Sequence, residues 1–136
     1  MNDIVINKAE IIERALSRVR DTYARHRDDL EQSFDAQDVI LLNLQRACEA
    51  AIDLAMHIVR VRALGLPKDS KTAFDLLHQA GEISPELADK LKKMTGFRNI
   101  AVHDYRALDW RIVRSLIEKG VPDLKAFAET MVKQHG

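Results

Sequence analysis

Apolar residues recur at three- and four-residue steps along most of this chain, the period of α-helices with one buried face. Over residues 8–31 the stripe is Ile11, Ile12, Ala15, Leu16, Val19, Tyr23 and Leu30, and the opposite face is charged. Ser33 to Asp35 breaks the pattern, and either residue suits the cap of the next helix. Residues 36–64 carry the strongest helical signal. Apolar positions from Val39 and Ile40 through Ala47, Cys48 and Ala51 to Ile58, Val59 and Val61 wrap most of the circumference. Such a helix is buried on more than one side, so it is central or it meets a second chain. Gly65-Leu66-Pro67 ends it, with glycine as the stop.

The second half reads as shorter helices. Ser70 caps one over 71–80, with Ala73, Phe74, Leu76 and Leu77 on its apolar face and Gly81 as its stop. Ser84-Pro85-Glu86 is a start signal: a capping hydroxyl, a proline in the first turn and an acid at the positive end of the dipole. The helix it opens runs to about residue 102, lined by Leu87, Leu91, Met94 and Phe97, with Gly96 as an interior weak point suited to close approach of another backbone. Asp109 caps a helix over 110–119 that Gly120 ends, and Pro122 restarts helix to about 134. No strand pattern competes. The expected fold is all-α, a bundle of four to five helices occupying residues 1–136 as one domain.

Composition agrees with that class. Aromatics are 5% and glycine and proline together number only eight, so Ala, Leu, Ile and Val must build the core. Charge is balanced, 21 bases against 21 acids, which argues against a protein that coats nucleic acid along its whole surface. The balance is local, however. Residues 90–114 hold seven bases and two acids, whereas residues 1–53 hold seven bases and 11 acids. Cys48 is the only cysteine and lies in an apolar run, so it is expected to be an inert core residue. No secretory pattern opens the chain and no apolar run is long enough to span a bilayer, so a cytoplasmic location is expected.

One segment carries chemistry that a helical scaffold does not require: Arg98-Asn99-Ile100-Ala101-Val102-His103-Asp104-Tyr105. Arginine stays charged and forks onto phosphate, and histidine changes charge near neutral pH. Those are the two side-chain types that metal-free phosphodiester cleavage needs. On an unbroken helix, five residues turn the chain so far that Arg98 and His103 lie about 140° apart. A joint site therefore requires the helix to unwind near His103, or a cleft built by two chains. Arg98 also continues the stripe of Leu87, Leu91 and Met94, where an apolar residue is expected. The blander reading is an arginine that snorkels to an acid elsewhere and a histidine that settles a helix end.

Other polar positions are weaker. Arg46, Glu49, Asp53, His57 and Arg60 follow helical steps. Glu49, Asp53 and His57 are metal-ligand types, but ion pairs or a buried polar seam suit the spacing better, and no metal is expected. Asp53 is a candidate to face the cleft and support Arg98 or His103. His26, His78 and His135 have no partners in sequence and read as surface residues.

Arg98, four residues, His103, one residue and Tyr105 form an Arg-x4-His-x-Tyr motif, and with the long apolar second helix the chain resembles the HepT-type toxins of the HEPN superfamily. The resemblance covers nearly the whole length. It implies a helical homodimer acting as a metal-independent endoribonuclease toxin on tRNA or mRNA, with no cofactor. It further implies a partner, a minimal nucleotidyltransferase antitoxin that adenylylates the motif tyrosine, here Tyr105. In that scheme His103 is the general acid or base, Arg98 clamps the phosphate, and Asn99 orients His103 or touches phosphate. The rival from another class is a non-catalytic nucleotide-binding module or a scaffold subunit for a nucleotidyltransferase.

Overall fold

A computed structural model describes residues 2–99 and 108–136. Among these residues there are six α-helices: α1 (Asp3–Arg25), α2 (Phe34–Val61), α3 (Ser70–Gln79), α4 (Pro85–Gly96), α5 (Trp110–Ser115) and α6 (Val121–His135). A 3₁₀ turn, Phe97–Asn99, follows α4, and a π-helical turn, Leu116–Gly120, joins α5 to α6. No strand occurs among the described residues, as the all-α expectation requires.

The long helices set the frame. Asn2 lies beside His57 and Lys8 beside Asp53, so α1 and α2 run antiparallel. Around α2 pack α1, α3, α4 and α6. Its buried residues, among them Ile40, Leu44, Cys48, Ala51, Leu54 and Ile58, occupy most of the circumference. The sequence pattern that wrapped α2 therefore marks the centre of the bundle. Phe74 of α3 meets Phe127 of α6 edge to face, with ring centroids 5.6 Å apart. Such a pair adds about 1 kcal/mol beyond the area it buries.

Several helix ends differ from expectation, each for a local reason. The first helix begins at Asp3 because the Asn2 side chain accepts from the N–H groups of Ile4 and Val5. It stops at Arg25, short of residue 31, and a series of turns folds Leu30 into the core. Gln37 holds those turns by donating to the carbonyls of Leu30 and Glu31. Asp69, not Ser70, caps α3, accepting from Thr72 N–H. At the end of α2 the residue in the left-handed region is Ala63, at φ 51°, and Gly65 follows at φ 136°.

Two differences bear on the motif. The fourth helix does not run to residue 102; α-helical geometry ends at Gly96 and tightens into the 3₁₀ turn. Thr95 assists by donating its hydroxyl to the Leu91 carbonyl, a side-chain bond that competes with the helix ladder. Gly120 does not stop a helix either. It has right-handed helical angles, φ −79° and ψ −33°, and the chain passes through the wide π turn straight into α6.

Candidate functional site

Arg98 is the one candidate side chain of the motif that the described residues include. The Asn99 side chain, His103 and Tyr105 lie outside them. Arg98 sits in the 3₁₀ turn that ends α4. That turn is anchored through Met94, whose side chain is buried and whose carbonyl accepts a bond from the Cys48 thiol at 3.4 Å. α-Helical geometry thus ends two residues before Arg98, and the path from Ile100 to His103 lies outside the described residues.

The guanidinium of Arg98 is half-buried and faces an acid. Its Nε lies 3.9 Å from Oε1 of Glu49 on α2. That is an ion pair without a hydrogen bond, loose enough for a phosphate to compete. The carboxylate beside Arg98 is thus Glu49. Asp53, one turn further along α2, is held by Lys8 of α1 at 3.0 Å. Glu49 and Asp53 line the same shallow groove of about 370 Å³, with Lys8, Ile11, Leu42 and Arg46. The pairing of Arg98 with an acid matches the blander sequence reading; which acid it is depended on how α4 crosses α2.

Cys48 reports on the same neighbourhood. Burial pushes its thiol up to about 12, against a smaller opposite pull from the Arg98 charge. The expectation of an inert core cysteine holds.

The far flank of the motif is held more firmly. Asp109 caps α5 by accepting from Arg111 N–H. Arg114 on α5 forms a two-pronged pair with Glu31, 2.8 Å at each prong. Those bonds hold the Glu31 carboxyl down to about 2. Tyr23 of α1 donates to Glu118 of the π turn at 2.7 Å. Burial is the main cause, and the Glu118 bond the next, of an upward shift of its phenol. Sequence reading missed this network, since its members lie some 80 to 95 residues apart.

The remaining histidines correct the sequence reading in part. His135 is not a free surface residue: its Nε2 is 2.6 Å from Oε2 of Glu82, a buried carboxylate that also pairs with Arg62. His26 pairs with Asp29 at 3.0 Å. His57 is buried between Asn2 and Arg60. Burial, then the charges of Arg60 and His135, push its imidazole below the ordinary value. Among the described residues no group of three or more His, Cys, Asp or Glu is placed to hold a metal. No helix among them is long and apolar enough to cross a membrane.

Comparison with known proteins adds to this geometry. Residues 12–131 match the family model described as ribonuclease HepT-like. The chain is 44% identical to an mRNA nuclease HepT of Shewanella oneidensis over 131 residues, 96% of this chain and 98% of that protein. It is 31% identical to a tRNA nuclease HepT of Aphanizomenon flos-aquae, covering 78% of this chain and 72% of that one. Among solved structures it superimposes on the tri-AMPylated Shewanella oneidensis HEPN toxin in complex with MNT antitoxin. There the TM-score is 0.90 and the identity 44%, covering 98% of this chain and 99% of the toxin.

Proposed function

This chain belongs to the ribonuclease HepT-like family, and from that premise we propose that it is a metal-independent endoribonuclease toxin of a toxin–antitoxin pair. It acts in the cytoplasm as a homodimer on mRNA or tRNA. Its partner is a nucleotidyltransferase antitoxin that silences it by adenylylating Tyr105. The observation that carries this reading is the family match over 12–131, which encloses the whole Arg98–His103–Tyr105 motif.

The chemistry follows from the residue types. The ribose 2′-hydroxyl attacks the adjacent phosphorus, the bond to the 5′-oxygen breaks, and a cyclic phosphate and a free 5′-hydroxyl result. One proton must leave the 2′-oxygen and one must reach the 5′-oxygen. His103 serves both needs, since an imidazole titrates near neutral pH, and two copies in a dimer can divide them. Arg98 stabilises the charge that accumulates on the phosphate oxygens. Its loose contact with Glu49 lets it turn to phosphate at small cost. Asn99 orients His103 or touches phosphate, and Asp53 supports the cleft from α2. Dependence on the 2′-hydroxyl selects RNA over DNA.

The test is cleavage of total tRNA and a defined mRNA by purified protein in excess chelator. The wild-type protein is expected to cut, and His103→Ala to lose at least about a hundredfold in rate, the usual share of a general acid or base. Retained cleavage by a folded His103→Ala protein would overturn the assignment of His103. Loss of wild-type cleavage in chelator would overturn metal independence.

A further inference from the structure

Arg98 does not stand alone at the end of α4. It lines a pocket of about 190 Å³ whose other walls are Asp69, Ser70, Lys71, Thr95 and Gly96. Gly96 has no side chain to fill this space, and Lys71 occupies the ground above it. The Nζ and Cε atoms of Lys71 lie 3.5 and 3.6 Å from where a β-carbon on Gly96 would stand. The Lys71 ammonium is thereby laid over the helix end, two residues before Arg98.

Two of the pocket's polar side chains, those of Asp69 and Thr95, bond within their own helices. The Asp69 carboxylate accepts from the Thr72 amide at 2.9 Å and from the Thr72 hydroxyl at 2.8 Å. The Thr95 hydroxyl donates back to the Leu91 carbonyl at 2.7 Å. Two cationic residues, Lys71 and Arg98, therefore line one small hollow, and its acid among the described residues, Asp69, is bonded into its own helix cap. Such a pair attracts two adjacent anionic groups on one strand.

We propose that Lys71 forms a second phosphate subsite, holding the RNA phosphodiester next to the one that Arg98 clamps. The proposal rests on the ribonuclease reading for the identity of the ligand, and on the pocket geometry for the place. Lys71 is a binding residue in this scheme, not a catalyst. It fixes the strand's register so that one phosphate reaches Arg98.

The experiment separates the two ideas. Binding of a short 2′-O-methyl oligoribonucleotide, which cannot be cleaved through its blocked 2′-oxygen, is titrated over a range of salt concentrations. Lys71→Ala should weaken binding about fivefold, the size of one exposed ion pair. The slope of log affinity against log salt should fall by about 0.7, the value for one lost phosphate contact on a single strand. Lys71→Arg should restore both, which a purely structural role for the lysine stem would not require. In cleavage of the matching unmodified RNA, Lys71→Ala should raise KM. Wild-type affinity and an unchanged salt slope in Lys71→Ala would overturn the subsite. A wild-type protein that binds in a Lys71-dependent way, yet cuts no RNA, would support the subsite and refute the nuclease reading instead.

Discussion

Gly120 of the π turn lies against the thioether of Met94 on α4, so closely that a β-carbon at position 120 would overlap the sulfur. The two residues join the flanks of the motif: Met94 precedes Arg98 by one turn, and Gly120 belongs to the helical run that takes up the chain after residue 107. Because Met94 is buried, its sulfur has little room to retreat. Gly120→Ala is expected to destabilise the protein by about 1 kcal/mol. Overpacking costs about 1–3 kcal/mol, and the better helix propensity of alanine returns up to about 1. Denaturant unfolding measures it. In a Met94→Ala background the same change should become neutral or favourable, because the cavity accepts the methyl group.

The Glu31–Arg114 pair predicts a pH dependence. Its carboxyl titrates near 2 when folded, below its ordinary value of 4.5. A lowered carboxyl contributes stability above the unfolded pKa, and that contribution fades as pH falls from about 4.5 towards 2. The pair is partly exposed, so the effect is modest. Glu31→Gln should cost about 0.5–1 kcal/mol at pH 7 and almost nothing at pH 2. Equal destabilisation at both pH values would show that packing, and not charge, is what the substitution removes.

His57 should weaken the fold in mild acid. Its imidazole is pushed below 6.5 by burial and by the neighbouring charges of Arg60 and His135. The unfolded chain then binds a proton that the folded chain resists. Stability from this group is present above about 6.5 and is lost as pH falls through the lower folded value. Thermal melts of the wild-type protein should decline from pH 7 to pH 5, and His57→Gln should flatten that decline. A wild-type slope that survives the substitution unchanged would assign it to other groups.

Cys48 should resist thiol reagents. Its sulfur is fully buried and its pKa is raised to about 12, so almost no thiolate exists at pH 8. Labelling with a small disulfide reagent should be negligible in the folded protein and complete in denaturant. Rapid labelling without denaturant would mean that α2 and α4 part in solution.

The proposed silencing reaction predicts a clean separation at Tyr105. Adenylylation joins AMP to the phenolic oxygen and releases pyrophosphate, adding bulk and a negative phosphate to the motif. Tyr105→Phe should keep its RNase activity and gain no AMP mass after incubation with antitoxin and ATP. An added AMP on that variant would place the modification elsewhere.

The order of helices, the buried stripe of α1 and the central position of α2 were legible because amphipathic period survives any tertiary arrangement. Ser84 and Asp109 were readable as caps for the same reason, and Ser33 as one of two candidates with Asp35: the bonds they make lie within three residues. The family motif was equally visible as spacing. Helix ends were less so. Propensity carried the fourth helix past Gly96 and stopped another at Gly120, whereas packing against Cys48 and Met94 decided otherwise.

What the sequence alone determined about this protein is therefore its all-helical class, its core faces and the set of reactive residue types in one short segment. Tertiary structure decided the company those residues keep. It set Glu49 against Arg98, gave Asp53 to Lys8, pinned α5 through Glu31 and laid Lys71 over Gly96, two residues before the arginine. Local pattern encodes which side chains share a face of one helix. Partners tens of residues apart depend on how the helices cross, and that is settled only when the core closes.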